Sequence, residues 1–213
     1  NAANEFQFRN DLDGALEIFQ LARKKTGDMN AYSLEMARLY SAQMKYAASM
    51  TEYLKTLEES PVSSPNIEYM IKNNTMARTQ LPEFIGPLTN YLRTNPKSVK
   101  AAKLLAELKI RLGDYAGALQ IIFDSAIRAD APQSAWAFAE QTASEGRKDE
   151  ALLAYEKFYL HFPSNPNARS ALLKSASIRL EKGDREGAKK NYSSLAENYP
   201  KTPESQLAAL RLI

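Results

Sequence analysis

The 213-residue sequence contains no cysteine. That excludes disulfides, thiol nucleophiles and thiolate metal sites from this chain. It has one histidine, His161, just ahead of Phe162-Pro163. A lone histidine without an HxxxH or HxxE partner makes a poor metal site, so His161 reads as a helix-end residue. No apolar run approaches the roughly 20 residues that span a bilayer. Neither GxxxxGK[ST] nor GxGxxG occurs, and no Ser/His/Asp arrangement finds positional support. Acidic neighbours such as Glu58-Glu59 and Asp149-Glu150 fall at helix ends, where solvated charge is ordinary. The expectation is therefore a chain that is not an enzyme and carries no cofactor and no metal.

What is present is an ordinary globular mix, 44% hydrophobic and 25% charged. A net charge of +3 is too small to imply a nucleic-acid partner. The charge is uneven: residues 1–70 hold seven Lys/Arg against ten Asp/Glu, and the remainder is basic. The basic run Arg93, Lys97, Lys100, Lys103, Lys109 and Arg111 lacks interleaved aromatics, which argues against nucleic acid. A plainly solvated face is the favoured reading of this run, and an acidic peptide steered there is the alternative.

The pattern is clearest between Pro132 and Pro163. Ala135, Phe138, Ala139 and Thr142 recur at helical steps before Gly146; Ala151, Leu152, Tyr155, Phe158 and Tyr159 do so after it. This predicts a helical hairpin. Gly146 would close the first helix at positive φ, Asp149 and Glu150 would open the second, and Pro163 would stop it. Ala151 would let the two axes approach closely.

One amphipathic hairpin cannot bury its face alone, and copies are present. Gly113, Tyr115, Ala118 and Ile122 occupy the same places about 33 residues earlier, and Gly183, Arg185, Ala188, Tyr192 and Pro200 about 37 later. Tyr46, Ser49, Tyr53 and Pro61, and before them Leu12, Ala15 and Phe19, repeat the template. The units run at about 1–28 (partial), 30–61, 65–96, 99–131, 132–165, 169–200 and 203–213 (partial), read as one domain. In the 30–61 unit the helices are predicted from about Ala31 to Gln43 and from about Tyr46 to Glu59, followed by a linker from Pro61 to Pro65. In the 65–96 unit, Ile67, Met70, Ile71 and Asn74 suggest the first helix. Pro82 suits the start of the second, and Pro87 predicts that this second helix is kinked or shortened. The apolar residues after Pro203 predict that the chain is part of a longer protein.

These positions resemble the tetratricopeptide repeat family over nearly the whole chain. Ala106, Ala139 and Ala176 fill its first small position, and Gly113, Gly146 and Gly183 its turn. Ala118, Ala151 and Ala188 fill its alanine; Tyr53, Tyr155 and Tyr192 its large aromatic; Pro61, Pro96, Pro163 and Pro200 its close. The resemblance implies an all-α fold, a right-handed superhelical solenoid of antiparallel helix pairs with about five to six repeats. It also implies a non-catalytic scaffold that binds a partner peptide or helix in a concave groove lined by the first helices. Carried onto this sequence, the partner-binding positions are Arg38, Tyr69, Asn73, Lys100, Lys103, Glu107, Trp136 and Glu140, together with Leu34, Leu173 and Ser177. Trp136 could equally serve interhelix packing, and packing is the favoured reading for Tyr69, whose repeat is irregular. The lysine–asparagine carboxylate clamp of some members is argued against, since Tyr69 stands where its lysine would be and Glu107 follows Lys103.

The stretches Tyr155 to Pro163 and Tyr192 to Ser205 further resemble the repeat ends of bacterial cell-envelope members of this family. That implies a periplasmic scaffold, with a cytoplasmic one as the alternative. A second role stays open, an assembly subunit of an envelope complex acting through its ends or outer face. The expected partner is a protein or peptide, with no nucleic acid and no direct membrane span. Self-association would run through the terminal helix.

Overall fold

The structure, a computed structural model, describes residues 11–72 and 80–211, apart from the side chains of 70–72. It is all-α among the described residues and falls into two compact units that divide between Asp114 and Tyr115.

The first unit holds α1 (Leu12–Thr26), α2 (Ser33–Ala42), α3 (Tyr46–Lys55), α4 (Ser63–Lys72), a 3₁₀ turn (Leu81–Phe84), α5 (Ile85–Thr94) and α6 (Val99–Arg111). Helix α2 packs against α1 and α3, α3 also meets α4 and α5, and α6 packs on both α4 and α5. The second unit holds α7 (Tyr115–Ala129), α8 (Pro132–Ser144), α9 (Lys148–His161), α10 (Asn167–Glu181), α11 (Arg185–Asn198) and α12 (Pro203–Arg211). Each of these packs on the next, and α7 also meets α9, as α10 meets α12.

The tight turns are alike at the level of backbone hydrogen bonds. Gly113, Gly146 and Gly183 take φ of 87°, 73° and 80°. The amide after each reaches back five residues, Asp114 to Lys109, Arg147 to Thr142 and Asp184 to Arg179, at 2.8–3.0 Å. These bonds satisfy carbonyls that a helix end leaves open. Met44 does the same without glycine: its φ is 59° and Lys45 N–H donates to Tyr40 at 2.9 Å. A residue with a Cβ pays about 1–2 kcal/mol for that conformation.

Small residues set the helix spacing. Ala118, Ala139, Ala151 and Ala176 are fully buried, as is Ala188 to within 1%. Tyr53, Tyr155 and Tyr192 are buried at the large aromatic position.

Two boundaries differ from the sequence expectation. Ser63 to Pro65 form the first turn of α4 rather than a linker, because proline's missing N–H has no helical partner there in any case. The helices of the 30–61 unit are shorter than predicted, Ser33–Ala42 and Tyr46–Lys55. Near Pro87 the helix is shortened as expected. A 3₁₀ turn carrying Pro82 ends at Phe84, and α5 starts at Ile85, which places Pro87 in its first turn.

Candidate partner-binding face

In the first unit the nominated residues lie on three helices. Arg38 is exposed on α2, near the Tyr53 hydroxyl. Burial raises the pKa of that hydroxyl, and Arg38 opposes the rise. Tyr69 on α4 is 66% exposed. Asn73 lies outside the described residues. Lys100, Lys103 and Glu107 share one face of α6, at helical steps of three and four. Lys103 is exposed and Glu107 half-buried. Lys100 is engaged within the fold: its ammonium donates to the carbonyls of Leu57 and Glu58, both at 3.0 Å. It thereby ties α6 to the chain just beyond α3.

In the second unit Trp136 and Glu140 come together on α8, one helical turn apart. The half-buried Trp136 ring meets Tyr155 at 5.7 Å and Phe158 at 5.2 Å between centroids. Glu140 accepts from the Tyr155 hydroxyl at 2.7 Å and from the Lys174 ammonium at 2.6 Å on both oxygens. The same ammonium stands over Trp136 at 5.3 Å and over Tyr155 at 5.6 Å, within cation–π range. Burial first, and the Glu140 carboxylate second, push the Tyr155 hydroxyl well above its ordinary pKa. Leu173 and Ser177 follow on α10, where the Ser177 hydroxyl bonds back to Leu173 O at 3.0 Å.

Sequence reasoning missed Lys174 and the polar role of Tyr155. One signal was available: Lys174 follows Glu140 by about one repeat length, which sets it on the next first helix. It also missed a buried ion pair. Arg23 on α1 and Glu52 on α3 meet at 3.0 and 2.6 Å, with side chains only 5% and 9% exposed. Arg23 further donates to Ala31 O and Ser33 Oγ. Burial would raise the Glu52 pKa, but Arg23 and Lys55 hold it below the ordinary value. Arg23 falls four residues after buried Phe19, on the apolar stripe of α1, and that was its only warning.

Among the described residues no helix is long and apolar enough to cross a membrane. Two stretches of the chain match tetratricopeptide repeat models, residues 88–135 and 170–202. Among solved structures the chain is similar to YrrB, described as a TPR protein with an unusual peptide-binding site. The identity is 17% over 92% of this chain and 99% of that one, with a TM-score of 0.38. It is similar to PilW, described as a widely conserved type IV pilus biogenesis factor, at 16% identity over 98% and 95% with a TM-score of 0.37. It is likewise similar to PilF of Pseudomonas aeruginosa, at 16% identity over 99% and 94% with a TM-score of 0.37. A search of curated proteins returns no match.

Proposed function

We propose, from the premise that this chain is a tetratricopeptide repeat protein, that it is a non-catalytic scaffold whose first helices hold a partner polypeptide. Tyr69 carries the reading: a tyrosine 66% exposed on α4, whose neighbour α6 also presents the exposed Lys103. Aromatic side chains of this kind are enriched among residues that dominate binding energy. In the first unit Arg38 and Glu107 belong to the same proposed set, with Lys100 as a structural tie at its edge and Asn73 proposed from the sequence alone; in the second unit Trp136 and Glu140 are proposed as a contact of their own.

The test replaces Tyr69 with a photo-crosslinking amino acid, and separately replaces Leu160, which is 69% exposed at the end of α9, a second helix. The expected result is a partner captured from position 69 and not from 160. Tyr69→Ala should then weaken the purified partner's binding about tenfold. Capture at 160 alone would overturn the reading in favour of the outer face.

A second reading is an assembly subunit acting through its ends. It draws on Leu207 and Leu210 of α12, which are 40% and 70% exposed. Concentration-dependent sedimentation that Leu210→Glu abolishes would favour it. The compartment proposed is the bacterial cell envelope, from the tyrosine–proline joints at Tyr155–Pro163 and Tyr192–Pro200, with the cytoplasm as the alternative. Fractionation of the expressing cell decides between them.

A further inference from the structure

We infer that Trp136, Glu140 and Tyr155 form a binding site for a primary ammonium group, and that Lys174 occupies it in the free chain. The inference rests on the proposed partner-holding face. It names what the second unit takes, a lysine side chain of the bound polypeptide.

The walls of the site come from α8 and α9 alone, whereas the ammonium comes from α10. Tyr155 and Phe158 are buried to 1% and 0%, so their rings are fixed by the core and brace Trp136 from beneath. The Tyr155 hydroxyl donates to Glu140 at 2.7 Å and orients the carboxylate. Removing Lys174 therefore leaves a carboxylate and two ring faces in place. That combination suits a cation, since the ring faces and the carboxylate both attract positive charge.

The ion pair lies at a partly exposed part of the surface. The side chains of Glu140 and Lys174 are 39% and 43% exposed. A partly exposed ion pair contributes little net stability, so the lysine stem swings out at low cost. The arrangement is not a general packing device of the repeats. About 37 residues on, Leu173 and Ser177 stand where Trp136 and Glu140 stand here, and no carboxylate is present. An incoming lysine competes with Lys174, and its apparent affinity falls by the fraction of molecules in which Lys174 has left.

The experiment titrates the full chain with Nα-acetyl-lysine N-methylamide and follows the fluorescence of Trp136, the single tryptophan. The norleucine analogue serves as a neutral control. Lys174→Ala should bind the lysine probe severalfold more tightly than the unaltered chain. The norleucine analogue should give no response, and adding Glu140→Gln should abolish the gain. A Lys174→Ala chain that responds no better than the unaltered one, or equally to norleucine, would overturn the inference. A second readout needs no variant. At high probe concentration the Lys174 side-chain carbon resonances should move as the ammonium leaves the rings, and resonances that stay fixed would also overturn it. Crosslinking at position 69 reads the partner-holding face independently, so failure of the ammonium site leaves that result standing.

Discussion

The hairpins α8/α9 and α10/α11 share a frame and differ in what they do with the same tyrosine. Both bury alanines where the helices approach, Ala139 and Ala151 in one, Ala176 and Ala188 in the other. Both turn on a glycine at positive φ. Tyr155 and Tyr192 sit at matching places, 1% and 2% exposed. Yet the Tyr155 hydroxyl donates to Glu140, while the Tyr192 hydroxyl is buried and finds no partner among the described residues. The residue in Glu140's place is Ser177, whose own hydroxyl turns back to Leu173 O. Side-chain volume at the contacts sets the stacking, and the polar residues of the facing helix vary over it. One core hydroxyl keeps or loses its acceptor through a single residue on the facing helix.

The shared frame breaks most severely at its small residues. Ala151→Leu and Ala188→Leu should each cost about 1–3 kcal/mol by overpacking, read as a lowered urea midpoint in both cases. A harmless Ala188→Leu beside a damaging Ala151→Leu would show that the two hairpins pack differently. The tyrosines should then separate the hairpins. Tyr155→Phe should cost about 1 kcal/mol by losing a hydrogen bond to a carboxylate, whereas Tyr192→Phe should be neutral or stabilising, because it removes a buried group that has no partner. Ser177→Glu should sharpen the comparison by restoring a cost to Tyr192→Phe.

The same contrast has a pH signature. The Tyr155 hydroxyl titrates above its ordinary value of 10.0 in the folded chain, with burial the first cause and Glu140 the second. Its neutral form is the one the fold favours. The stability it contributes is fully present below about pH 10 and is lost as pH rises beyond that. Tyr155→Phe should therefore flatten the alkaline limb of a stability–pH curve. The smallest effect extends the comparison to the turns. Met44→Gly should stabilise by several tenths of a kcal/mol, because it relieves the left-handed strain at some entropic cost. Gly146→Ala should destabilise by about 1 kcal/mol, and thermal melts of the two variants should shift in opposite directions.

Most of the hairpin frame was legible from residue type and spacing. Gly146, Ala151, Tyr155 and their copies have few other reasons to recur together at one repeat length. The turn at Met44 was harder to read, because its backbone is that of the glycine turns and its residue is not. The start of α4 was hidden by Pro65, which sequence alone reads as a break and which the first helical turn accepts. Trp136 and Glu140 were reached through the family resemblance as candidate partner-binding positions, but Lys174 belongs to the next first helix and no local pattern marks it. Lys100 was read as a groove charge from its position on α6. The structure sends its ammonium to the carbonyls beyond α3, since a long stem lets a helix-borne charge reach a neighbour's end. Arg23 and Glu52 were not singled out, because nothing in either local stretch announces the other.

That buried pair bears on how an array of similar hairpins avoids assembling in the wrong order. Amphipathic hairpins of one design are nearly interchangeable, and apolar contact alone discriminates weakly among their possible neighbours. The Arg23 guanidinium is held at once by Glu52, Ala31 and Ser33, so its fork fits one seating of α1 against α2 and α3. A mis-stacked chain would strand a guanidinium or a carboxylate away from water with no counter-charge, and such a species is far higher in energy than one that merely packs poorly. An ionic contact of this kind penalises wrong pairings more strongly than it stabilises the right one.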